Sequence, residues 1–249
     1  MMGQCHIAGF GGSSDGYIAN AVDFNGSSDY LTRSGSVGSP NQLCLFSCWV
    51  RLDGGNASTM DILRLPNEVV KVYRDSSNKF HLSLRRSDST IIYEANSTNS
   101  YTSGSSWIHV LMSCDLQDGS AALKHIYING SSDKTLVTDP NLGSNIAYGV
   151  NDTTSVAANQ IGGNPLNGCI SELYFTNYYL DLSVQANREK FRSAAGKPVD
   201  LGSNGSLPTG SQPLIYLKNP AASVNVNSGT ISNFTINGSP ATASTSPSN

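Results

Sequence analysis

Charge is what this chain has little of. Asp, Glu, Lys and Arg make up 13% of its 249 residues, against about a quarter in ordinary soluble domains. The net charge is −3 and no basic stripe is present, which excludes the electrostatic footprint of a nucleic-acid binder. The longest cationic cluster, Arg188-Glu189-Lys190-Phe191-Arg192, alternates in sign as a solvated helix face does. Only four glutamates occur, Glu68, Glu94, Glu172 and Glu189, and they fall in separate stretches. A retaining glycosidase needs two carboxyls about 5–5.5 Å apart, and alternate positions on one strand would supply them. Glu172 has Ile170 and Tyr174 at those positions, so it reads as a rim or turn-bonding residue and no enzyme is expected.

Long apolar runs are missing as well. Nothing approaches the roughly 20 residues of a membrane span. The opening Met1–Phe10 has neither the positive start nor the apolar run of a secretory signal. Met2 between Met1 and Gly3 breaks the myristoylation pattern. Synthesis in a cytoplasm without a signal peptide is therefore expected. No Gly-x-Ser-x-Gly nucleophile elbow stands between an expected strand and helix, and Gly9-Phe10-Gly11-Gly12 leads into no helix that could cradle a phosphate.

The five cysteines form no visible framework. Cys44, Cys48, Cys114 and Cys169 lie in expected strands beside Phe, Trp or Leu, as reduced, buried thiols do. Cys44 and Cys48 are too far apart along one strand for a disulfide. Cys5, in a polar start, is the one candidate for cross-linking.

Ser, Asn, Thr and Gly fill the space that charge leaves. Short alternating runs separated by turn residues follow one another: Met60–Leu65, Val69–Arg74, Lys79–Arg86, Thr90–Asn96, Trp107–Asp115 and Leu123–Ile128. Asn129-Gly130 supplies the positive φ values of a primed hairpin turn. Strands at this spacing spell a two-sheet sandwich. Cys44–Arg51 is apolar on both faces, which places it centrally. Trp49 and Trp107 are assigned to the core, and His109 to the core or the layer behind it. One short helix is expected near 183–195, with Ser183 as its N-cap, Val184 and Phe191 on one face, and Gly196 and Pro198 ending it. Residues 1–18 read as an N-terminal arm, 19–239 as one sandwich with a C-terminal extension from about 199, and 240–249 as an extended tail.

Four phrases recur in a fixed order: Ala21-Val22-Asp23-Phe24-Asn25-Gly26-Ser27-Ser28-Asp29-Tyr30-Leu31, Leu45-Phe46-Ser47-Cys48-Trp49-Val50-Arg51, Trp107-Ile108-His109-Val110, and Ile161-Gly162-Gly163 with Gly168-Cys169-Ile170-Ser171-Glu172-Leu173. Together they resemble the laminin-G-like, concanavalin-A-like jelly-roll superfamily over about residues 20–182. The segment Ala186–Phe191, Gly196–Gly202 and Gly205–Gly210 resembles a tail segment of such proteins carried by tailed bacteriophages and prophages. The resemblance implies an all-β jelly-roll sandwich of two antiparallel sheets. It also implies a non-enzymatic virion component, a capsid or tail surface decoration assembled in the host cytoplasm, whose partners are other virion proteins and a host-surface glycan. The alternative is a tail-tip adhesin recognising host glycans, and a polysaccharide hydrolase ranks behind both. Sandwiches of this kind often form symmetric homo-oligomers.

Binding residues are sought near loops. Tyr101, Tyr148, Tyr178 and Tyr179 are the candidate sugar platforms. No cofactor is expected. Calcium is the one ion for which hard oxygen ligands are at hand, at Asp139, Asn141, Asn151 and Asp152, although Asx turns use the same residues.

Overall fold

The computed structural model describes residues 16–117, 123–138 and 143–249. The arm residues 1–15 with Cys5, the turn residues 118–122 and the loop residues 139–142 lie outside this description. Among the described residues no helix is long and apolar enough to cross a membrane.

Two antiparallel sheets of eight strands each face one another. The first is ordered β10 (Ser131–Ser132), β9 (Lys124–Ile128), β8 (Ile108–Asp115), β3 (Leu43–Leu52), β13 (Asn167–Thr176), β1 (Val22–Asn25), β16 (Ala241–Thr242), with β14 (Ile215–Leu217) also on β13. The second is ordered β11 (Thr135–Thr138), β7 (Ile91–Asn96), β6 (Phe80–Arg85), β5 (Val70–Arg74), β4 (Met60–Arg64), β12 (Thr153–Val156), β2 (Tyr30–Ser34), β15 (Thr235–Asn237). Neighbours in sequence thus become hairpins, while β1 and β2 open the two sheets from opposite sides of one turn. Asn25 makes that turn. Its side-chain oxygen accepts from the backbone N–H groups of Ser27, Ser28 and Asp29, the Asx geometry that Asn favours.

Alternation decides what lies between the sheets. Cys44, Phe46, Cys48, Val50 and Leu52 of β3 meet Val70 and Val72 of β5 and Phe80, Leu82 and Leu84 of β6 in one continuous core. Each such side chain contributes about 1.5–3 kcal/mol on burial. The opposite face of β3 is covered too. Leu45, Leu111, Tyr174, Leu182, Phe191, Leu201 and Tyr216 form a second, smaller cluster, because the chain after β13 folds back over the first sheet. A sheet covered on both faces explains the apolar run on both sides of Cys44–Arg51.

The C-terminal region contributes β14 and β16 to the first sheet and β15 to the second. The last residues are held as well: Ser246 Oγ donates to the Ala19 carbonyl at 2.7 Å.

Several expectations need correction. The helix α1 runs only over Gln185–Arg188, a single turn, and its N-cap is Val184. Ser183 does not cap it: the helix has no side-chain cap, and the Ser183 N–H and hydroxyl donate to Asp181. Phe191 is buried but Val184 is exposed, so they do not share a face. Trp107 is not core: it stands half-buried before β8, its Nε1 donating to Thr245 Oγ1 at 3.2 Å, and Arg51 lies 5.8 Å over its ring. Trp49 is buried, its ring tilted against that of His109 at 4.7 Å on the covered outer face of the first sheet.

Glu172 is the sharpest correction. It is not at a rim but within β13, almost wholly buried. The β13–β3 register jumps between Ser171 and Tyr174, the signature of a bulge, and Glu172 takes the extra place with φ +51°. That insertion keeps Leu173 and Phe175 pointing into the core.

Candidate functional site

The chain after β13 crosses the outer face of the first sheet over β8 and β9, and the aromatic side chains there line up. On β9, Ile126 and Ile128 turn to the core, so the period of two sends His125 and Tyr127 outward. Tyr179, from the crossing segment, stacks on His125 with ring centroids 6.1 Å apart, and its hydroxyl lies 3.1 Å from His125 Nε2. The Tyr127 ring follows at 6.2 Å from His125. Beyond it the Arg188 guanidinium sits 4.6 Å over the Tyr127 ring. Arg188 is fixed there because Nη1 also donates to the Leu182 and Ser183 carbonyls, at 2.6 and 3.0 Å.

Two clefts adjoin this row, His125 lining one and Arg188 the other. One, of about 270 Å³, is lined by Lys124, His125, Ser132, Lys134 and Asp181 among others. Asp181 stands 3.4 Å from His125. Burial lowers the His125 pKa, with the Asp181 carboxylate opposing. The other cleft, of about 290 Å³, has His109 at its base and Gln185, Arg188, Glu189 and Arg192 at its wall. His109 is fully enclosed, with Ser47 Oγ 2.9 Å from Nε2. Burial, aided by the Arg192 charge, pushes its pKa down to about 3, so the ring is neutral near pH 7. Aromatic faces, a fixed cation and mixed donors and acceptors beside open clefts suit a hydroxylated, ring-shaped ligand.

The sequence-selected tyrosines separate here. Tyr178 and Tyr179 do lie in the crossing segment, Tyr178 exposed and Tyr179 half-buried. Tyr148 is no platform: it is fully buried, donates to the Leu43 carbonyl at 2.7 Å, and packs 6.0 Å from Phe175. Tyr101 is half-buried elsewhere, its hydroxyl donating to Asp133 at 2.6 Å and its ring 5.4 Å from Phe80. Of the calcium candidates, Asp139 and Asn141 lie outside the described residues, while Asn151 is exposed and Asp152 half-buried. The side chains missed in the sequence are His125, Tyr127, Arg188 and Arg192. Their signals were the i, i+2 pair on β9 and the i, i+4 arginines, read above as a solvated face.

Two other side-chain clusters find their partners within the protein. Asp23, Asp53 and Cys169 bring their ligand atoms within 4.8 Å of one another. A cation is already there, since Arg51 grips Asp53 through Nε and Nη2 at 2.7 and 2.8 Å. On the second sheet, Glu68 gathers Arg64, Lys71 and Arg85 at 3.0, 3.5 and 2.9 Å. Tyr73 there is stacked on His81 at 4.6 Å with Lys71 over its ring.

No protein-family model matches the chain, and no curated protein matches it. Solved structures do. A "putative carbohydrate binding protein" from Bacteroides ovatus aligns over 81% of this chain and 51% of its own, with TM-score 0.52 and 14% identity. The fold is a concanavalin-A-like jelly roll. The chain spans about half the length of that jelly-roll protein. The heptameric SAP-like pentraxin of Limulus polyphemus aligns over 68% of this chain and 81% of its own, at TM-score 0.48 and 16% identity. Domain 4 of the extracellular arabinanase AbnA from Geobacillus stearothermophilus, in complex with arabinotriose, aligns over 70% and 78%, at TM-score 0.49 and 21% identity. At these identities the likeness is one of fold, and the jelly roll's binding chemistry has to be read from its own side chains.

Proposed function

We propose that the protein is a non-enzymatic glycan-recognition module whose binding surface is the row Tyr179, His125, Tyr127 and Arg188 with its two flanking clefts. The row itself carries the reading: three aromatic rings in sequence, one pair stacked and one tilted, ending in a fixed guanidinium beside clefts of about 270 and 290 Å³. The Bacteroides ovatus protein of the same fold, a "putative carbohydrate binding protein", agrees with it. The non-enzymatic part is supported by Glu172, whose two oxygens are both taken by tyrosine hydroxyls. A glycan array followed by titration of the best ligand tests the reading. Tyr179→Ala and Tyr127→Ala should each weaken binding about tenfold, as loss of one stacking contact does. Absence of glycan binding, or binding untouched by both changes, would sink it. Release of reducing sugar would overturn the non-enzymatic part.

The setting we propose is the surface of a phage particle, as a capsid or tail decoration. Support for it is the resemblance of residues 186–210 to segments in proteins of tailed phages. Mass spectrometry of purified particles discriminates: hundreds of copies mean decoration, a few mean a tail-tip adhesin, and none removes the setting.

A further inference from the structure

The cleft above His109 contains a guanidinium without a partner. Among the described residues, the buried Arg192 Nε donates to no partner, and neither Nη joins a hydrogen bond or ion pair. Arg188, one turn earlier, is by contrast committed to two carbonyls and the Tyr127 ring. The Arg192 fork lies close to two glycines: a Cβ at Gly196 would stand 2.8 Å from Nη2, and one at Gly130 3.1 Å from Nη1. Both glycines have positive φ, +79° and +84°. Glu189, the one acid lining this cleft, is engaged by Gln185 Nε2 at 2.7 Å. The cleft's charges therefore sum to one surplus cation, and that cation is the unpaired one.

A buried guanidinium donor such as Arg192 Nε is costly to leave unmatched. Its planar fork fits a carboxylate in two parallel bonds, which a neutral hydroxyl cannot reproduce. The cleft adjoins the aromatic row, since Arg188 lines the one and stacks on the other. We propose that Arg192 binds the carboxylate of an acidic sugar, a uronate-type residue in a glycan whose neighbouring units lie along Tyr127 and Tyr179. This assignment rests on the glycan reading above and names the class of glycan.

The test is titration of the whole protein with glucuronate, glucose, acetate and a glutamate-rich peptide, followed by NMR of the histidine rings. Glucuronate should bind at least about tenfold more tightly than glucose and move the His109 ring signals, while those of His81 stay in place. Arg192→Gln should bring glucuronate down to the level of glucose. Arg192→Lys, which keeps the charge but not the fork, should lie between. If both sugars bind equally and Arg192→Gln changes nothing, the acidic-sugar assignment falls and the glycan reading stands. If neither sugar binds, both fall. Acetate or the peptide binding as tightly as glucuronate overturns the sugar part of the assignment.

Discussion

The Tyr216 hydroxyl donates to Glu172 Oε2 at 2.6 Å, and the carboxylate's other oxygen accepts from Tyr17 at 2.8 Å. A buried acid at a strand bulge is thus enclosed by β14 on one side and the residues before β1 on the other. Burial pushes its pKa from 4.5 up to about 7, against the two tyrosine bonds and the nearby Lys218 charge, which work to lower it.

The sign of the pH effect follows. Between about 4.5 and 7 the folded protein holds a proton on Glu172 that the unfolded chain has lost, so stability falls as pH rises across that window. The full effect is on the order of 3 kcal/mol. Glu172→Gln should flatten this limb and raise the melting temperature at pH 8. Thermal unfolding of both proteins at pH 5 and pH 8 checks it; an unchanged difference between the two pH values would refute it.

His109 titrates with the opposite sign. Its folded pKa of about 3 against an ordinary 6.5 means that the unfolded chain binds the extra proton. Stability is therefore fully present above pH 6.5 and is lost as pH falls toward 3. His109→Gln should remove most of that acid limb, at the cost of a weaker contact to Ser47. Denaturant titrations from pH 4 to 7 measure it, and an acid limb of equal depth in the variant contradicts it.

Asp29 ties the two ends of the jelly roll together. Its Oδ1 accepts from the Ser239 N–H at 2.8 Å and its Oδ2 from the Asn25 N–H at 3.3 Å. Asp29→Ala removes both bonds and should destabilise the protein by about 2–4 kcal/mol. It should also loosen the segment after β15. Limited proteolysis should then cut between 238 and 249 well before the rest of the chain; cleavage at the wild-type rate would argue against the tie.

The cysteines Cys44, Cys48, Cys114 and Cys169 are free and buried. Burial drives every one of their pKa values up, that of Cys44 to about 12. Thiols in that state are poor nucleophiles. Iodoacetamide at pH 8 should leave all four unmodified in the folded protein and label them after denaturation, as read by peptide mass spectrometry. Rapid native labelling at Cys48 or Cys114 would show that the sandwich opens.

Much of this fold was readable from residues alone. Alternation in Val70–Arg74 and Phe80–Arg85 and the Asn129-Gly130 turn, with φ +53° and +84°, specify strands and a hairpin through local sterics. A run apolar on both faces, as in Leu43–Leu52, specifies a central strand because both sides must be shielded from water. These are properties of neighbours in sequence, so the sequence determines them. What it could not determine is which outward side chains the returning chain would cover. Tyr148 and Tyr178 read alike as loop tyrosines, yet one is buried against Phe175 and the other is open to solvent. Glu172 and Arg192 depend on contacts with Tyr17, Tyr216, Gly130 and Gly196, which a bulge and a crossing segment bring near. Burial and pairing across such distances are set by how layers stack, and only the tertiary structure decides that.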